Sequence, residues 1–135
     1  MSIVKYLPFT PSGSVTAPPS KSDVHRAIIC AALSKGVSTI SPVALSNDIK
    51  ATIGCIEALG AKTHIENNVL TVDGTKLFSN KTATLDCGES GSTLRFLLPV
   101  AAAMGINAVF TGKGRLPQRP VRELLAAMEQ NGVTA

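Results

Sequence analysis

Apolar residues recur along this chain with two periods, and the changes between them mark out its predicted elements. Recurrence at every second residue predicts strands, and recurrence at every third or fourth residue predicts helices. In the first half this predicts a strand at 3–9, a helix at 20–34, a strand at 37–40, a helix at 46–59 and a hairpin of strands 62–65 and 69–72. In the second half it predicts a strand at 82–87, a helix at 94–104, a strand at 106–111 and a helix that begins at Pro120.

Local signals indicate where several of these elements begin and end. Ser20, with Asp23 three residues later, has the pattern of a capping box, so the first helix is expected to begin at Ser20. Gly36 stands where a left-handed residue usually closes a helix. Residues 66–68, Glu-Asn-Asn, have the composition of a hairpin turn. Pro99 lies inside the third helix and is expected to kink or shorten it.

The predicted elements form a repeat of strand, buried helix, strand, amphipathic helix and hairpin. Arg26 and Arg95 are 69 residues apart, and so are Gly36 and Gly105. The second repeat stops at 133–135, where its hairpin should begin. An unpaired strand start is a poor natural terminus, so we expect this chain to be the front part of a longer protein.

Composition narrows the class of protein. The 135 residues are 44% hydrophobic and 16% charged, which is typical of one folded domain. The net charge of +4 is spread without a basic run, so no nucleic-acid partner is expected. The longest apolar stretch is too short to span a bilayer and is broken by Pro99, so no membrane partner is expected either.

The cysteines indicate a reducing environment. Cys30, Cys55 and Cys87 are odd in number and far apart in sequence, so we expect three reduced core residues in a cytoplasmic protein. The sequence contains no Cys-x-x-Cys pair and no His-Cys cluster, so neither a metal site nor another cofactor is expected.

The start of the first helix carries cations, which the helix dipole disfavours there. Lys21 lies in its first turn and Arg26 one turn later, beside the hydroxyls of Ser20 and Ser22. Free backbone N–H groups, two hydroxyls and two cations together suit a phosphate or a carboxylate. The alternative is that Lys21 is solvated and Arg26 pairs with an acidic neighbour.

Cations, which the helix dipole disfavours, also stand at two later helix starts. Arg95 lies one turn into the third helix, and Arg115 and Arg119 come just before the fourth. Only the second helix, with Asp48 in its first turn, is expected to obey the dipole rule. Because corresponding elements of a repeat point the same way, we expect the cationic starts to converge on one concave site. Such a site fits a ligand with several negative charges.

The loop at 88–93 admits two interpretations. It lacks the Lys-Ser/Thr ending of a nucleotide-binding P-loop, so ATP binding is not indicated. Gly91 would let backbone N–H groups approach an anion closely, although the loop taken alone is more typical of a purely structural turn. Glu89 would repel an anion, so we expect it to hold a neighbouring Arg or Lys or to cap the helix.

Neither histidine is assigned to catalysis. His25 lies on a helix whose other faces are apolar and is expected to be partly buried with its hydrogen bonds satisfied, whereas His64 is expected at the surface. The spacing supports no Ser-His-Asp or Cys-His arrangement.

Three motifs resemble, in order and spacing, the N-terminal part of the 5-enolpyruvylshikimate-3-phosphate synthase family. They are Pro19-Ser20-Lys21-Ser22-Asp23-Val24-His25-Arg26, Gly88-Glu89-Ser90-Gly91-Ser92-Thr93-Leu94-Arg95 and Gly114-Arg115-Leu116-Pro117-Gln118-Arg119-Pro120. The resemblance covers essentially all 135 residues, and the family enzymes are much longer than this chain.

The resemblance implies an α/β fold in the form of an inside-out barrel of βαβαββ units, with helices inside and sheets outside. This chain would cover one and a half to two units, at 18–80 and 81–135. Residues 1–17 would contribute strands to the other domain of the family enzymes, which their C-terminal part completes. The family also implies a monomer at full length.

The implied reaction transfers the enolpyruvyl group of phosphoenolpyruvate to the 5-hydroxyl of shikimate 3-phosphate. Lys21, Ser22 and Arg26 match positions that hold shikimate 3-phosphate in the family. Positions that hold phosphoenolpyruvate, where the inhibitor glyphosate also binds, correspond to Lys21, Gly91 and Arg119. The family's acid-base carboxylates lie mainly in the part that this chain does not include. No catalytic residue is therefore assigned here, and the chain alone is expected to be inactive.

The match has departures, and two other functions stay open. Asp23 and Glu89 replace small, hydroxyl or amide residues of other members, and Phe96 stands where many members have proline. Arg95 and Arg115 lie beside the matched positions and would strengthen the positive electrostatic field that the substrates meet there. A UDP-N-acetylglucosamine enolpyruvyl transferase is disfavoured because no cysteine lies between residues 105 and 120. A non-enzymatic binding module built of repeats is the other alternative.

Overall fold

Four α-helices and five β-strands form in the computed structural model, which describes residues 3–134. The helices are α1 (Lys21–Leu33), α2 (Asn47–Ala58), α3 (Gly91–Ala103) and α4 (Arg122–Glu129). The strands are β1 (Val37–Ile40), β2 (Lys62–Glu66), β3 (Val69–Asp73), β4 (Thr82–Asp86) and β5 (Asn107–Thr111), and a short 3₁₀ helix spans Leu116–Gln118. The predicted order of elements from residue 20 onward is confirmed.

The strands form two separate sheets. One is antiparallel in the order β1-β3-β2, and the other is the parallel pair β4-β5. The predicted hairpin is confirmed, because β2 and β3 pair from Glu66–Val69 onward and both Asn67 and Asn68 adopt positive φ. Within residues 3–134 the two sheets do not close into a barrel.

Helix α1 packs between two hydrophobic cores. Ile28 belongs to the core built on β1, α2 and β3, whereas the next residue, Ile29, belongs to the core built on β4, α3 and β5. This explains the almost continuous apolar stretch in the sequence of α1. The starts of α1, α2 and α3 are thereby held near one another. None of the helices in the described part of the chain has the length and apolar character needed to cross a membrane.

The strand predicted at 3–9 is not formed. Residues 3–20 contain no helix or strand, and large apolar side chains such as Ile3 (93%) and Phe9 (78%) are exposed. A strand needs a partner for its backbone N–H and C=O groups, and none of the strands between residues 3 and 134 pairs with this segment. Residues 1 and 2 lie outside the described residues.

Several predicted helix ends are shifted. The left-handed residue after α1 is Lys35 (φ 57°), not Gly36, because the helix ends two residues before it at Leu33. Helix α4 begins at Arg122, so Pro120 precedes the helix and is not its first residue. Helix α3 is not shortened by Pro99 and runs through it to Ala103.

One cysteine prediction is wrong. Cys55 and Cys87 are buried, as expected for core residues, but Cys30 is exposed because it lies on the outer face of α1. All three are free thiols.

Candidate anion-binding site

The start of α1 is held by its own cap and by the neighbouring helix. The hydroxyl of Ser20 accepts a hydrogen bond from the Asp23 N–H (3.4 Å), which confirms the predicted cap. Lys21 Nζ donates to Asp48 Oδ2 at 2.6 Å. The cation that α1 carries against its dipole is therefore balanced by the acidic residue in the first turn of α2. The first turns of α1 and α4 also hold acidic residues, Asp23 and Glu123, so the prediction that only α2 obeys the dipole rule is wrong. The sequence predicts no contact for Asp48 beyond its favourable place at the start of α2. No local pattern reveals a contact between residues 27 positions apart.

Arg26 links α1 to α3. Its guanidinium donates to the Ser22 carbonyl oxygen (3.1 Å) and lies 3.8 Å from Asp23 Oδ1, so the alternative of an acidic neighbour is partly confirmed. The same group also lies over the ring of Phe96, with Cζ 5.5 Å from the ring centroid. The Arg26 side chain is 61% exposed and available to a ligand. Phe96 is therefore a contact of the site that sequence analysis noted only as a departure.

Two further guanidinium groups converge over Gly91, the first residue of α3. A methyl group added there would lie 2.7 Å from Arg119 Nη1 and 2.8 Å from Arg95 Nη1. Arg95 is held in place because its Nη2 donates to the Pro120 carbonyl oxygen at 2.9 Å. Two like charges brought this close repel each other, and an anion between them would relieve that repulsion. The lack of a side chain at Gly91 leaves the space that both groups occupy.

Helix α3 begins three residues earlier than predicted because Ser90 caps it. The Ser90 hydroxyl accepts from the Thr93 N–H at 3.2 Å, which places Gly91 in the first turn. The prediction that Glu89 caps this helix is therefore wrong. Its carboxylate lies against Gly114, in the loop that precedes the 3₁₀ helix, and none of the ion pairs among residues 3–134 includes it.

Arg115 takes part in none of these contacts. It is exposed, at the start of the 3₁₀ helix Leu116–Gln118, and its side chain takes part in no hydrogen bond or ion pair of the described residues. Two of the predicted cations, Arg95 and Arg119, are therefore brought together over Gly91, while Lys21 contacts Asp48 of α2 and Arg26 contacts Phe96 of α3. These four residues are the cationic set.

A hollow of about 630 Å³ lies beside Asp48, the partner of Lys21, between the start of α2 and the loops that follow β4 and β5. Its walls carry both signs of charge, so it is not itself the expected cationic cleft. The charged residues that line it are Asp48, Lys50, Asp86, Glu89 and Lys113.

His25 is more deeply buried than predicted. Its side chain is fully buried, and Nδ1 lies 2.7 Å from Thr52 Oγ1, while Nε2 has no hydrogen-bond partner among the described residues. Burial is the main cause that lowers the pKa of His25, and the nearby charges of Lys21 and Arg26 act in the same direction. Asp48 opposes them. The imidazole is therefore neutral near pH 7. His64 is exposed, as predicted.

The two buried thiols are shifted in opposite directions by their mutual hydrogen bond. That bond, together with burial, raises the pKa of the Cys55 thiol, whereas it lowers the pKa of the Cys87 thiol against the effect of burial. In the part of the chain that the structure describes, no three His, Cys, Asp or Glu residues cluster closely enough to hold a metal ion.

Comparison with known proteins identifies similar sequences and similar solved structures. The family described as EPSP synthase (3-phosphoshikimate 1-carboxyvinyltransferase) matches residues 9–135. A 3-phosphoshikimate 1-carboxyvinyltransferase of Clostridium kluyveri is 46% identical over 121 residues, which are 87% of this chain and 28% of the relative. Another, of Clostridium perfringens, is 42% identical over 134 residues, which are 96% of this chain and 32% of the relative.

The fold is also similar to that of a solved structure, an EPSP synthase from Acinetobacter baumannii. The TM-score is 0.79 at 25% sequence identity, and the match covers 90% of this chain and 28% of that one. The mixed α/β arrangement is thus shared with part of that structure. The chain spans less than one third of the length of each of these three proteins.

Proposed function

The chain belongs to the EPSP synthase (3-phosphoshikimate 1-carboxyvinyltransferase) family, and we propose that it forms part of a site for two phosphorylated substrates. The reaction is transfer of the enolpyruvyl group of phosphoenolpyruvate to the 5-hydroxyl of shikimate 3-phosphate, by addition followed by elimination of phosphate. The observation that carries this proposal is the convergence of Arg95 and Arg119 on Gly91. Both substrates are polyanions, and paired guanidinium groups bind phosphate and carboxylate well.

We assign the two substrates to neighbouring parts of the cationic set. Lys21, Ser22 and Arg26, at the start of α1, bind shikimate 3-phosphate, and Lys21 also reaches phosphoenolpyruvate. Gly91 and Arg119 bind phosphoenolpyruvate, and Arg95 and Arg115 strengthen the positive field. When water is excluded, these charges stabilise the negative charge that develops during addition and elimination.

Asp48 has a defined part in this proposal. Its carboxylate holds Lys21 at 2.6 Å in the structure. A bound phosphate competes with this carboxylate for the Lys21 ammonium group, so binding exchanges one ion pair for another. Because both partners of the pair are partly exposed, at 53% and 31%, the exchange costs little.

The larger architecture is part of the same proposal. Residues 18–80 are one unit of an inside-out barrel, residues 81–135 are a second, incomplete unit, and residues 1–17 contribute strands to the remaining domain. The exposed apolar side chains of Ile3 and Phe9 support that pairing, because a strand with such side chains is stable only when it is covered. We place the protein in the cytoplasm, since its three cysteines are free. At full length we propose a monomer, as the family implies.

Calorimetric titration of the 135-residue chain with shikimate 3-phosphate tests the function. We expect saturable binding that Lys21→Ala weakens about tenfold, the cost of one charged hydrogen bond. Lys62→Ala, on strand β2, removes the same charge from an exposed position and should leave the affinity unchanged.

Phosphoenolpyruvate provides the second arm, with Arg119→Ala as the variant that should weaken binding. With both substrates present, we expect no phosphate release from this chain alone. If neither substrate binds, or if the chain binds only RNA or a protein, the proposed function is wrong.

A further inference from the structure

The buried polar residues of this chain form one hydrogen-bonded network. Among residues 3–134, the polar side chains that are almost fully buried are His25, Thr52, Ser90 and Thr93, each at 0 or 1% exposure. His25 Nδ1 lies 2.7 Å from Thr52 Oγ1, which lies 2.7 Å from Thr93 Oγ1. Thr93 Oγ1 in turn lies 2.7 Å from Ser90 Oγ. The four side chains therefore form a continuous path.

This path joins the N-terminal halves of three helices. His25 lies one turn into α1, Thr52 lies one turn into α2, and Ser90 is the N-cap of α3. The hydroxyls of Thr52 and Thr93 also lie 3.3 and 3.5 Å from the backbone carbonyl oxygen of Asp48. The residues at the ends of the path are thus next to the proposed anion site: His25 precedes Arg26, and Ser90 precedes Gly91.

Hydrophobic burial does not account for the network. A buried hydroxyl gains little net stability from its hydrogen bonds, and apolar side chains of the same shape can often replace such a group without loss. What a fully connected polar network does provide is a single arrangement of the elements that it joins. At this place, the elements are the helix starts that carry Lys21, Arg26 and Gly91.

The order of donors along the path follows from His25. Its imidazole is neutral, so only one ring nitrogen carries hydrogen, and only Nδ1 has a partner among the described residues. An unpaired buried N–H is rarer in proteins than an unpaired acceptor, which favours hydrogen on Nδ1. Nδ1–H then donates to Thr52. The one hydrogen of the Thr52 hydroxyl is shared between Thr93 and the Asp48 carbonyl oxygen, and that of the Thr93 hydroxyl between Ser90 and the same carbonyl oxygen. Because the Ser90 oxygen also accepts from the Thr93 N–H, the path fixes the first turn of α3.

We propose that His25 is a positioning residue of the anion site, which fixes the start of α3 and therefore Gly91 through Thr52, Thr93 and Ser90. The identity of the ligand in this inference rests on the proposed function. The hydrogen-bonded network does not depend on that function. His25 touches no substrate in this proposal, and its effect on binding passes through the three hydroxyls.

The first test needs no ligand. Nitrogen-15 NMR of the 135-residue chain should show hydrogen on His25 Nδ1 and none on Nε2. In His25→Leu, which removes the donor, the amide signals of Gly91 and Thr93 should shift and the Thr93 amide should exchange faster with solvent. In His25→Asn, whose amide can still donate to Thr52, these signals should stay close to those of the parent chain. Hydrogen on Nε2, or an equal response of α3 to both variants, would overturn the proposal.

The second test uses inorganic phosphate as the probe. We expect His25→Leu to weaken phosphate binding about fivefold to tenfold, as for one lost hydrogen bond, and His25→Asn to restore it to within about twofold. Thr52→Val, which keeps the side-chain volume, should act like His25→Leu and replaces it if the leucine variant fails to fold. Equal affinity in all variants would contradict the positioning role. Failure of the parent chain to bind phosphate would instead contradict the proposed function, and the NMR result would still decide on the network.

Discussion

Arg95 and Arg119 place their Nη1 atoms over the same residue, Gly91, although they come from α3 and from the loop before α4. Each Nη1 lies within 3 Å of the position that a methyl group at Gly91 would take. The two cations can share this space only because Gly91 has no side chain. Substitutions around this residue therefore separate the binding of anions from the stability of the fold.

Gly91→Ala should weaken anion binding and leave the fold intact. The new methyl group meets the mobile ends of two arginine side chains, not backbone, so the guanidinium groups move and the helix does not. Gly91 is in the first turn of α3, where alanine is tolerated. We expect phosphoenolpyruvate affinity to fall about tenfold, which is one lost charged contact, while the melting temperature stays within about 2 °C.

Ser92→Ala is the matched control, since it changes the next residue of the same helix turn to the same side chain. It should retain the parent affinity. Equal losses in both variants would mean that the start of α3, and not the space above Gly91, controls binding.

Gly74→Ala and Gly54→Ala should change stability in opposite directions. A methyl group at Gly74 would overlap the backbone carbonyl oxygen of Ala32, which cannot move without shifting α1. We expect Gly74→Ala to lower the free energy of unfolding by about 3 kcal/mol, as overpacking does. Gly54 lies inside α2 with no atom within 4 Å of the added group, so Gly54→Ala should raise that free energy by about 0.5–1 kcal/mol. Urea denaturation measures both, and destabilisation by Gly54→Ala would contradict the packing described for α2.

Phe96 should influence the ligand affinity of Arg26. The guanidinium group lies over the Phe96 ring and is largely exposed, so we expect the contact to contribute about 0.5–1 kcal/mol. Phe96→Leu removes the aromatic face, and the affinity for shikimate 3-phosphate should fall about twofold to fivefold. Phe96→Tyr keeps the face and should bind like the parent chain. If leucine and tyrosine bind equally well, the ring does not hold Arg26 in a binding position.

The buried imidazole of His25 predicts that stability falls as the solution becomes mildly acidic. Burial and the charges of Lys21 and Arg26 lower its pKa below the ordinary value of 6.5, against the opposing charge of Asp48. As the pH falls below 6.5, the unfolded chain takes up a proton that the folded chain does not. The free energy of unfolding should therefore decrease, with a slope of at most about 1.4 kcal/mol per pH unit, until the pH reaches the folded pKa.

Urea denaturation between pH 7.5 and 5.5 checks this prediction. His25→Asn should abolish this contribution to the slope, whereas His64→Asn, at an exposed position, should retain it. A slope that depends on His64 and not on His25 would mean that the imidazole of His25 is not kept neutral by the fold.

Local chemistry in the sequence determined most of the elements. Hydrophobic periods located every α-helix and β-strand from residue 20 onward, because an amphipathic segment buries its apolar side in only one way. Capping serines identified the start of α1, and two consecutive asparagines identified the hairpin turn, since both effects act within four residues. The motifs around Lys21 and Arg95 also identified the family, and the 69-residue spacing predicted the repeated order of elements.

Only the tertiary structure decided which groups face each other. The pairing of Lys21 with Asp48, the contact of Arg26 with Phe96 and the path from His25 to Ser90 all join residues from different helices. The failure of residues 3–9 to form a strand has the same origin. A strand, an ion pair and a buried hydroxyl each depend on a partner that the chain brings from a distance. Neighbouring residues can set the conformation of a segment, but its partners are set by how the helices pack.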